Sequence, residues 1–327
     1  MILVTGGTGY VGQRLVEKLR ARSAPVRLLV RDLKRSQKYA GGNITLVQGD
    51  VTEPATLAAA LEGVDTIIHL VAIIRERSGG ITFERLNYQG TVNIVDAAKA
   101  AGVQRFIHMS ALGAHADLNL PYMDTKFRAQ QYVQQSGLSW TVFQPSVIFG
   151  EGDEFINTLA DLVRKPLLFL PAPFLPVVGN GKTKFQPVSR EDVIDAFIKA
   201  LDDQGTVGKV YQLGGPKVLT YAEMLDVIMA KLGKKRGKIY VPVALMKPVV
   251  AIMDKVLAKP PVTPAQLSML RLDNSAPESA TQSLIGRPPL ALADGIDYIK
   301  DPKGGRQAWI RGSVRQAIVF AIAWFFV

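Results

Sequence analysis

A glycine-rich turn at the start of the chain constrains its fold more than any other feature. The apolar run Ile2–Thr5 is followed by Gly6, Gly9 and Gly12, and then by a segment with the apolar spacing of a helix. In such a unit the glycines permit a tight turn, a close approach of the backbone to a pyrophosphate, and close packing of helix on strand. The alternative is an ordinary flexible turn, but the required strand and helix flank this one. The sequence therefore predicts dinucleotide binding through Thr5, Gly6, Gly9, Tyr10, Val11 and Gly12.

Short apolar runs alternate with helical patterns over the first 145 residues. Runs of this kind indicate strands that are buried on both faces, as in a parallel sheet. The expected strands are Ile2–Thr5, Val26–Val30, Thr45–Gln48, Thr66–Val71, Arg105–Met109 and Trp140–Phe143. The expected helices are Gln13–Ala21, Thr56–Leu61, Val92–Ala101 and Lys126–Gln135. This rhythm predicts an α/β fold with a doubly wound parallel sheet of the Rossmann type.

The pattern changes twice along the chain, which predicts three parts. Residues 1–150 form the dinucleotide-binding Rossmann core. Residues 151–240 form a smaller substrate-side module interleaved with the core, with a loop rich in proline and glycine at 165–187. Residues 241–327 form basic amphipathic helices and an apolar tail. Within the middle part we expect a helix, a strand and a further helix at Arg190–Leu201, Val210–Leu213 and Tyr221–Lys231.

Positive charge is concentrated in the last third of the chain. The formal net charge is +11, and residues 231–327 carry 15 Lys and Arg against 6 Asp and Glu. Such a surface attracts nucleic acid, anionic lipid or an acidic protein. Because the sequence has no zinc-finger or RNA-binding motif, nucleic acid is excluded as the expected partner. A membrane surface or a membrane-protein complex is the partner that we predict for residues 241–327.

Two apolar segments in this region fit that prediction. Val241–Lys259 is apolar with spaced lysines, and Pro248 divides it into an expected pair of short amphipathic helices. The run Ala317–Val327 covers about 16 Å as a helix, which is too short to span a bilayer. It suits attachment to a membrane surface behind Arg306, Arg311 and Arg315. The alternative for both segments is packing against the protein's own core.

Cysteine is absent and only three histidines are present, without metal-ligand spacing. We therefore expect no disulfide and no metal site. The chain opens on its first strand without a basic and apolar leader, which predicts a cytoplasmic protein, peripheral on the cytoplasmic face of a membrane.

The end of the second strand bears on the choice of dinucleotide. An acidic residue there binds the ribose 2′-hydroxyl of NAD, whereas an arginine accommodates the 2′-phosphate of NADP. Arg31 occupies this position and Asp32 follows it, so NADP(H) is predicted, with NAD(H) as the alternative. Asp50 and Val51, after the third strand, are expected to contact the adenine edge. Leu70 and Ala72, at the end of the fourth strand, are also expected to contact the dinucleotide.

Ser110, Tyr122 and Lys126 form the candidate catalytic set. Ser110 follows the fifth strand, and Tyr122 and Lys126 stand four residues apart on one helical face. A lysine near a phenol lowers its pKa, so that Tyr122 could exchange a proton with a substrate oxygen held by Ser110. The spacing alone is weak, but its position after the fifth strand of a dinucleotide fold strengthens it.

Over residues 1–230 these motifs, with Leu86–Asn93 and Pro145–Gly150, resemble the extended and atypical short-chain dehydrogenase/reductases. More narrowly, Phe149–Asn157 and Leu213–Pro216 resemble bacterial relatives of the nucleotide-binding accessory subunit of respiratory complex I. The resemblance implies that Ser110, Tyr122 and Lys126 are catalytic and that Pro145 and Val147 border the nicotinamide. It also implies, for the accessory subgroup, a bound NADP(H) that stabilises the fold without turnover, with Lys126 on the nicotinamide ribose.

Two hypotheses follow. The first is an NADP(H)-dependent oxidoreductase that reduces a carbonyl or oxidises an alcohol at the membrane surface, with an unknown small-molecule substrate. Only eleven residues separate Ser110 from Tyr122, fewer than in sugar-nucleotide epimerases, which argues against a sugar nucleotide. The second is a non-catalytic NADP(H)-bound accessory or assembly subunit of a membrane respiratory or photosynthetic complex.

Overall fold

The structure is a computed structural model that describes residues 1–164, 174–256 and 262–300. The predicted apolar tail at Ala317–Val327, its three arginines and the end of the 241–259 segment lie outside these residues. The strands are β1 Ile2–Thr5, β2 Val26–Val30, β3 Ile44–Gln48, β4 Thr66–His69, β5 Arg105–Met109, β6 Ser139–Pro145, β7 Ile148–Phe149, β8 Phe174–Val178, β9 Lys184–Phe185, β10 Val188–Ser189, β11 Lys209–Leu213, β12 Leu219–Thr220 and β13 Gly237–Val241. The helices are α1 Tyr10–Arg20, α2 Leu33–Ser36, α3 Ala58–Leu61, α4 Gly90–Ala100, α5 Pro121–Gln134, α6 Phe155–Arg164, α7 Arg190–Asp202, α8 Tyr221–Lys231, α9 Val243–Val256, α10 Pro264–Met269, α11 Thr281–Ile285 and α12 Leu292–Gly295.

The chain divides into two compact units, and the first contains residues 1–146, 190–214 and 276–289. Its seven-stranded sheet has the order β11-β6-β5-β4-β1-β2-β3, and every neighbouring pair is parallel. Apolar side chains with no exposure fill both faces, with Leu3, Ile67 and Phe106 on one face and Val4, Ile68 and Ile107 on the other. The predicted doubly wound parallel sheet is confirmed. The strand order reverses between β1 and β4, which is where dinucleotides bind in folds of this kind.

Helix α5 begins earlier than the apolar periodicity indicated. The expected helix began at Lys126, whereas α5 begins at Pro121. Proline is well tolerated at the first position of a helix, because its missing N–H has no intrahelical partner there. The first turn of α5 therefore carries Tyr122, and the four-residue step from Tyr122 to Lys126 is helical throughout.

The second unit contains residues 147–189 and 215–275 and the described residues from Leu290 onwards. Its strands form short pairs, β7 with β10, β9 with β12 and β8 with β13. Its core is built on α6 and α8, with buried side chains that include Phe149, Ile156, Leu175, Met224 and Ile228. A second, smaller apolar cluster joins Val250 and Met253 of α9 to Leu267 of α10.

The predicted pair of short helices on either side of Pro248 is wrong, because a single helix, α9, occupies this segment. The helix runs without a break from Val243 to Val256, with Pro248 inside it. Proline removes the hydrogen bond that its N–H would donate to the carbonyl four residues earlier. Pro248 and Ala244 are both exposed, so water can reach the carbonyl that is left without a partner. The break that the sequence predicted is therefore not needed on this face of the helix.

Candidate functional site

The turn between β1 and α1 requires glycine at two positions for different reasons. Gly6 has a φ of +75°, and a Cβ there would lie 2.9 Å from the backbone carbon of Leu70. Gly12 has no such φ, but a Cβ there would lie 2.2 Å from the carbonyl oxygen of Gly6. The first glycine thus makes the turn, and Gly12 lets α1 pack directly on it. Both roles are those predicted for a pyrophosphate-binding turn.

The N-terminus of α1 has no side-chain cap. Gly9 is the N-cap residue and offers no side-chain hydrogen bond, and the first turn contains no acidic residue. The first backbone N–H groups of a helix have no intrahelical partner and carry the positive end of the dipole. Tyr10 and Val11 contribute two of these groups. The cradle therefore fits the pyrophosphate of a dinucleotide.

Strand β4 places two predicted cofactor residues beside this turn. The Leu70 N–H donates to the carbonyl of Thr5 over 3.1 Å, so the chain leaving β4 stays next to the end of β1. Leu70 is buried, and Ala72 is partly exposed two residues later. Val51 is also buried, and a Cβ at Gly90 would lie 2.9 Å from its side chain. The Asp50 carboxylate accepts hydrogen bonds from the N–H and hydroxyl of Thr52.

At the end of β2, the Asp32 side chain bonds to helix α2, whereas Arg31 is exposed. The Asp32 carboxylate accepts a hydrogen bond from the Arg35 N–H at 3.0 Å and caps the short helix α2. It also pairs with the Arg35 guanidinium at 3.3 Å. Arg31 is exposed to solvent. The acidic residue of this loop is therefore already engaged by α2, while Arg31 faces water.

The candidate catalytic residues come from β5 and α5. Lys126 is 1% exposed, and its Nζ donates to the carbonyl oxygen of Met109 over 2.6 Å. Ser110 follows Met109 and is buried, and its Oγ has no hydrogen-bond partner among the residues that the structure describes. The Tyr122 ring packs edge-on against Phe83, with 5.7 Å between ring centroids. Lys126 thus bonds to the residue that precedes Ser110 at the end of β5, which brings the two candidate residues to the same end of the strand.

A cleft of about 410 Å³ opens beside the first turn of α5. Its apolar walls come from Phe83, Leu118 and Pro121, and the Leu118 side chain is 87% exposed. Arg128 lies in the same cleft and is already paired with Glu84 and Asp124. The cleft therefore offers apolar and acidic surface, and Phe83 connects it to the Tyr122 ring.

A model of the NmrA-like family matches residues 1–268 of the chain. The chain belongs to the NmrA-like family. Its fold is that of the NAD(P)-binding reductases and epimerases, and the predicted resemblance is confirmed.

Three similar proteins extend this assignment. An NAD(P)H azoreductase of Xenophilus azovorans is 29% identical over 72% of this chain and 74% of the relative. Subunit 9 of the NADH dehydrogenase [ubiquinone] 1 alpha subcomplex of Arabidopsis thaliana is 28% identical over 83% of this chain and 67% of the relative. The solved structure of an NADPH-dependent quinone oxidoreductase of Escherichia coli superposes with a TM-score of 0.70, at 23% identity, over 92% of this chain and all of that one (100%).

Burial changes the proton chemistry of the NmrA-like site. It lowers the pKa of Lys126 to about 7. Although Tyr122 keeps some exposure, dense packing around its side chain raises its pKa to about 12. The lowering of the Tyr122 pKa that we expected from Lys126 is therefore wrong for this structure. Desolvation disfavours both the phenolate and the ammonium, and the Lys126 Nζ bonds to Met109.

The buried Lys126 predicts a pH dependence of stability. Its folded pKa of about 7 lies below the ordinary value of 10.5, so between these pH values the unfolded chain binds more protons. The free energy of unfolding should therefore rise as the pH increases from 7 towards 10, by up to about 5 kcal/mol. We expect Lys126→Met to remove most of this rise, as measured by urea unfolding at several pH values. An equal rise in both proteins would show that Lys126 is not the source of this pH dependence.

Three buried residues of the first unit, His69, His108 and Asn87, were not among the predicted site residues. His69 of β4 and His108 of β5 are fully buried and stack with 5.5 Å between ring centroids. Burial lowers the pKa of His69 to about 3 and that of His108 well below its usual value, so both rings are neutral. Asn87 lies in a π-helical segment, Glu84–Gln89, that leads into α4. The two histidines at matching strand ends were the available signal, because parallel neighbours in register share a face.

The remaining predicted residues are placed as follows. Pro145 ends β6, and its carbonyl accepts a hydrogen bond from the Leu112 N–H, at the start of the loop that leads to α5. Val147 belongs to the second unit. Within the described residues, no group of three or more His, Asp or Glu side chains is placed to hold a metal ion.

Proposed function

We propose that this protein is an NADP(H)-dependent reductase of a carbonyl-like acceptor at a membrane surface. The observation that carries the proposal is the buried Ser110 hydroxyl, without a protein partner, one residue from the carbonyl that holds Lys126. Buried polar groups are rarely left unpaired, and an exception is a candidate for ligand binding. The glycine cradle on the same unit supplies the dinucleotide site.

The residues of the site suit reduction. When bound, NADPH would supply the hydride that reduces an electrophilic carbon or nitrogen of the acceptor. The Tyr122 phenol is protonated at neutral pH, as a tyrosine with the ordinary pKa of 10 already is and as burial, which raises its pKa to about 12, favours further, so it can donate a proton to the reduced atom. Ser110 holds the acceptor atom through its unpaired hydroxyl, and Lys126 binds the ribose of the nicotinamide. Oxidation of an alcohol would need the phenolate, which burial disfavours.

The acceptor class follows from the apolar cleft and one relative. The cleft is lined by apolar Phe83, Leu118 and Pro121 and by the acidic side chains of Glu76, Glu84 and Asp124, which suits an uncharged, flat acceptor better than the diphosphate of a sugar nucleotide. The azoreductase relative is named for NAD(P)H-dependent reduction of this kind. The test is steady-state oxidation of NADPH at 340 nm with aryl carbonyl, quinone and azo acceptors. Turnover with one of them supports the proposal, and no oxidation above the rate without protein contradicts it.

Arg31 sets the preference for NADP(H) in this proposal. It is exposed at the end of β2, while Asp32 is engaged at the start of α2. An exposed arginine contact with the 2′-phosphate is worth roughly tenfold in affinity. We therefore expect Arg31→Ala to raise the Kd for NADPH about tenfold and to leave the Kd for NADH unchanged. Lys99→Ala, an equal change of charge at the far end of α4, should alter neither value.

A non-catalytic accessory protein of a membrane complex is the second candidate, and α9 favours it. Only Val250 and Met253 of its fourteen residues are buried, whereas Leu245 is 64% and Val256 is 54% exposed. Lys247 and Lys255 are exposed on the same helix. Apolar side chains beside lysines suit the headgroup region of an anionic bilayer. One relative is a named subunit of a mitochondrial NADH dehydrogenase complex. No described helix is both long and apolar enough to cross a membrane.

Vesicle sedimentation tests membrane attachment. The full chain should sediment with vesicles that contain phosphatidylserine, and removal of residues 306–327 together with Leu245→Ser should lower the bound fraction severalfold. Binding of NADPH should persist in the shortened protein, because its cradle lies in the first unit. Attachment on the cytoplasmic face is expected. A full chain that stays in the supernatant at low salt contradicts the membrane location in both proposals, whereas the reductase activity is tested separately by NADPH oxidation.

A further inference from the structure

A chain of fully buried polar groups crosses the first unit behind the glycine turn. The Thr5 Oγ1 lies 2.7 Å from His69 Nδ1, and His69 Nε2 lies 3.1 Å from Thr91 Oγ1. The Thr91 hydroxyl in turn lies 2.8 Å from the carbonyl oxygen of Asn87. Each of these four residues has no exposure to solvent. The chain therefore joins the end of β1, the end of β4 and the start of α4.

The direction of each hydrogen bond follows from counting hydrogens. The Asn87 carbonyl can only accept a hydrogen bond, so Thr91 donates its single hydroxyl hydrogen to it. Thr91 must then accept from His69, which places a hydrogen on Nε2. A neutral imidazole carries one N–H, so Nδ1 accepts and Thr5 donates. The very low pKa of His69 agrees with a neutral ring.

Asn87 extends the chain to the loop after β4. Its side-chain oxygen accepts from the Ile73 N–H at 2.8 Å, and its side-chain nitrogen donates to the Ile73 carbonyl at 3.1 Å. The segment Leu70–Ala72, in which two cofactor contacts are predicted, thus lies between two anchored residues. His69 holds one end through its side chain, and Ile73 holds the other through its backbone. His69 is connected to Asn87 through Thr91, and Ile73 bonds to Asn87 directly.

We propose that Thr5, His69, Thr91 and Asn87 are positioning residues that fix the segment Leu70–Ala72 against the glycine turn for dinucleotide binding. The inference rests on the proposed dinucleotide site, but its hydrogen-bond directions can be measured without any nucleotide. The close fit at Gly6, where a Cβ would lie 2.9 Å from the Leu70 carbon, leaves no room for this segment to shift towards the turn. A shift away from the turn is what the buried chain prevents.

The first test is the tautomer of His69 in the full-length protein labelled with ¹⁵N-histidine. The chain contains only three histidines, so long-range ¹H–¹⁵N spectra can be assigned with H108Q and H115Q variants. We expect the Nε2–H tautomer in the wild type between pH 5 and 8. In Thr91→Val the acceptor of that N–H is lost, so His69 should change to the Nδ1–H tautomer and donate to Thr5. An Nδ1–H tautomer in the wild type, or no change in Thr91→Val, overturns the chain as drawn.

The second test is dinucleotide affinity in the same proteins. Thr91→Val should raise the Kd for NADPH about tenfold, and Thr91→Ser, which keeps the hydroxyl, should stay within about twofold of the wild type. Thr5→Val tests the opposite end, where the Thr5 side chain is fully buried and bonds to His69, so that only a backbone contact with the dinucleotide is open to Thr5. It should weaken binding without changing the tautomer, which keeps the proposal testable if Thr91→Val does not fold. Unchanged affinity in both valine variants overturns the positioning role. A wild type that binds neither NADPH nor NADH overturns the proposed function as well, whatever tautomer is found.

Discussion

Gly12→Ala is expected to abolish measurable dinucleotide binding and to lower the melting temperature by roughly 5–10 °C. The added Cβ would lie 2.2 Å from the Gly6 carbonyl oxygen and 2.7 Å from the Gly7 Cα, so α1 must move away from the turn. Both neighbours are backbone atoms that cannot rotate out of the way. Moving the helix also moves the N–H groups of Tyr10 and Val11, which would bind the pyrophosphate in the proposed site. We expect the Kd for NADPH to rise at least about a hundredfold, measured by calorimetric titration.

Two glycine controls separate this effect from the general cost of removing a glycine. Gly102 has a φ of +73° at the end of α4 and open space where a Cβ would stand, so Gly102→Ala should cost about 1 kcal/mol and leave binding unchanged. A Cβ at Gly9 would meet only one atom within 4 Å, the Gly6 carbonyl oxygen at 3.2 Å. The loss of NADPH affinity in Gly9→Ala should therefore be intermediate between those in Gly102→Ala and Gly12→Ala. Equal NADPH affinity in Gly12→Ala and the wild type would contradict the role of this turn.

Tyr122→Phe is expected to lower the rate of acceptor reduction at least about a hundredfold while the Kd for NADPH stays unchanged. The substitution removes the proton donor and keeps the ring that packs on Phe83. Tyr132→Phe is the matched control on the same helix. Its hydroxyl donates to Asp96 at the surface over 2.6 Å, so its loss should leave the rate within about twofold.

An unchanged rate in Tyr122→Phe would remove Tyr122 from the mechanism. A wild type that binds NADPH tightly but shows no turnover would instead favour the accessory role, in which the dinucleotide stabilises the protein. The vesicle experiment tests the membrane attachment that both proposals include, and it depends on α9 and the C-terminal residues rather than on the cradle.

Local patterns predicted the parts of the fold and site that depend on neighbours in sequence. The turn at Gly6 and Gly12 lies within twelve residues, and both glycines have the steric reasons that the motif implies. The sheet followed from the apolar runs of its strands. The four-residue step between Tyr122 and Lys126 is likewise a property of one helix.

The features that were missed depend on contacts distant in sequence. Nothing near His69 in the sequence indicates that its ring lies within hydrogen-bond distance of Thr91 or that Asn87 bonds to Ile73, since these partners meet only when α4 packs on the sheet. The pKa of Tyr122 was predicted in the wrong direction because the spacing to Lys126 does not show burial. The continuous α9 was missed because the tolerance of Pro248 depends on which face of the helix meets water.

Calorimetric titration of the purified full-length protein with NADPH and with NADH tests the central claim most directly. Bound nucleotide should first be removed, and its identity determined by mass spectrometry. We predict one NADPH per chain, with an affinity at least about tenfold higher than that for NADH. Binding of neither dinucleotide, with the protein shown to be folded by circular dichroism, would contradict a dinucleotide site at Gly6, Gly9 and Gly12.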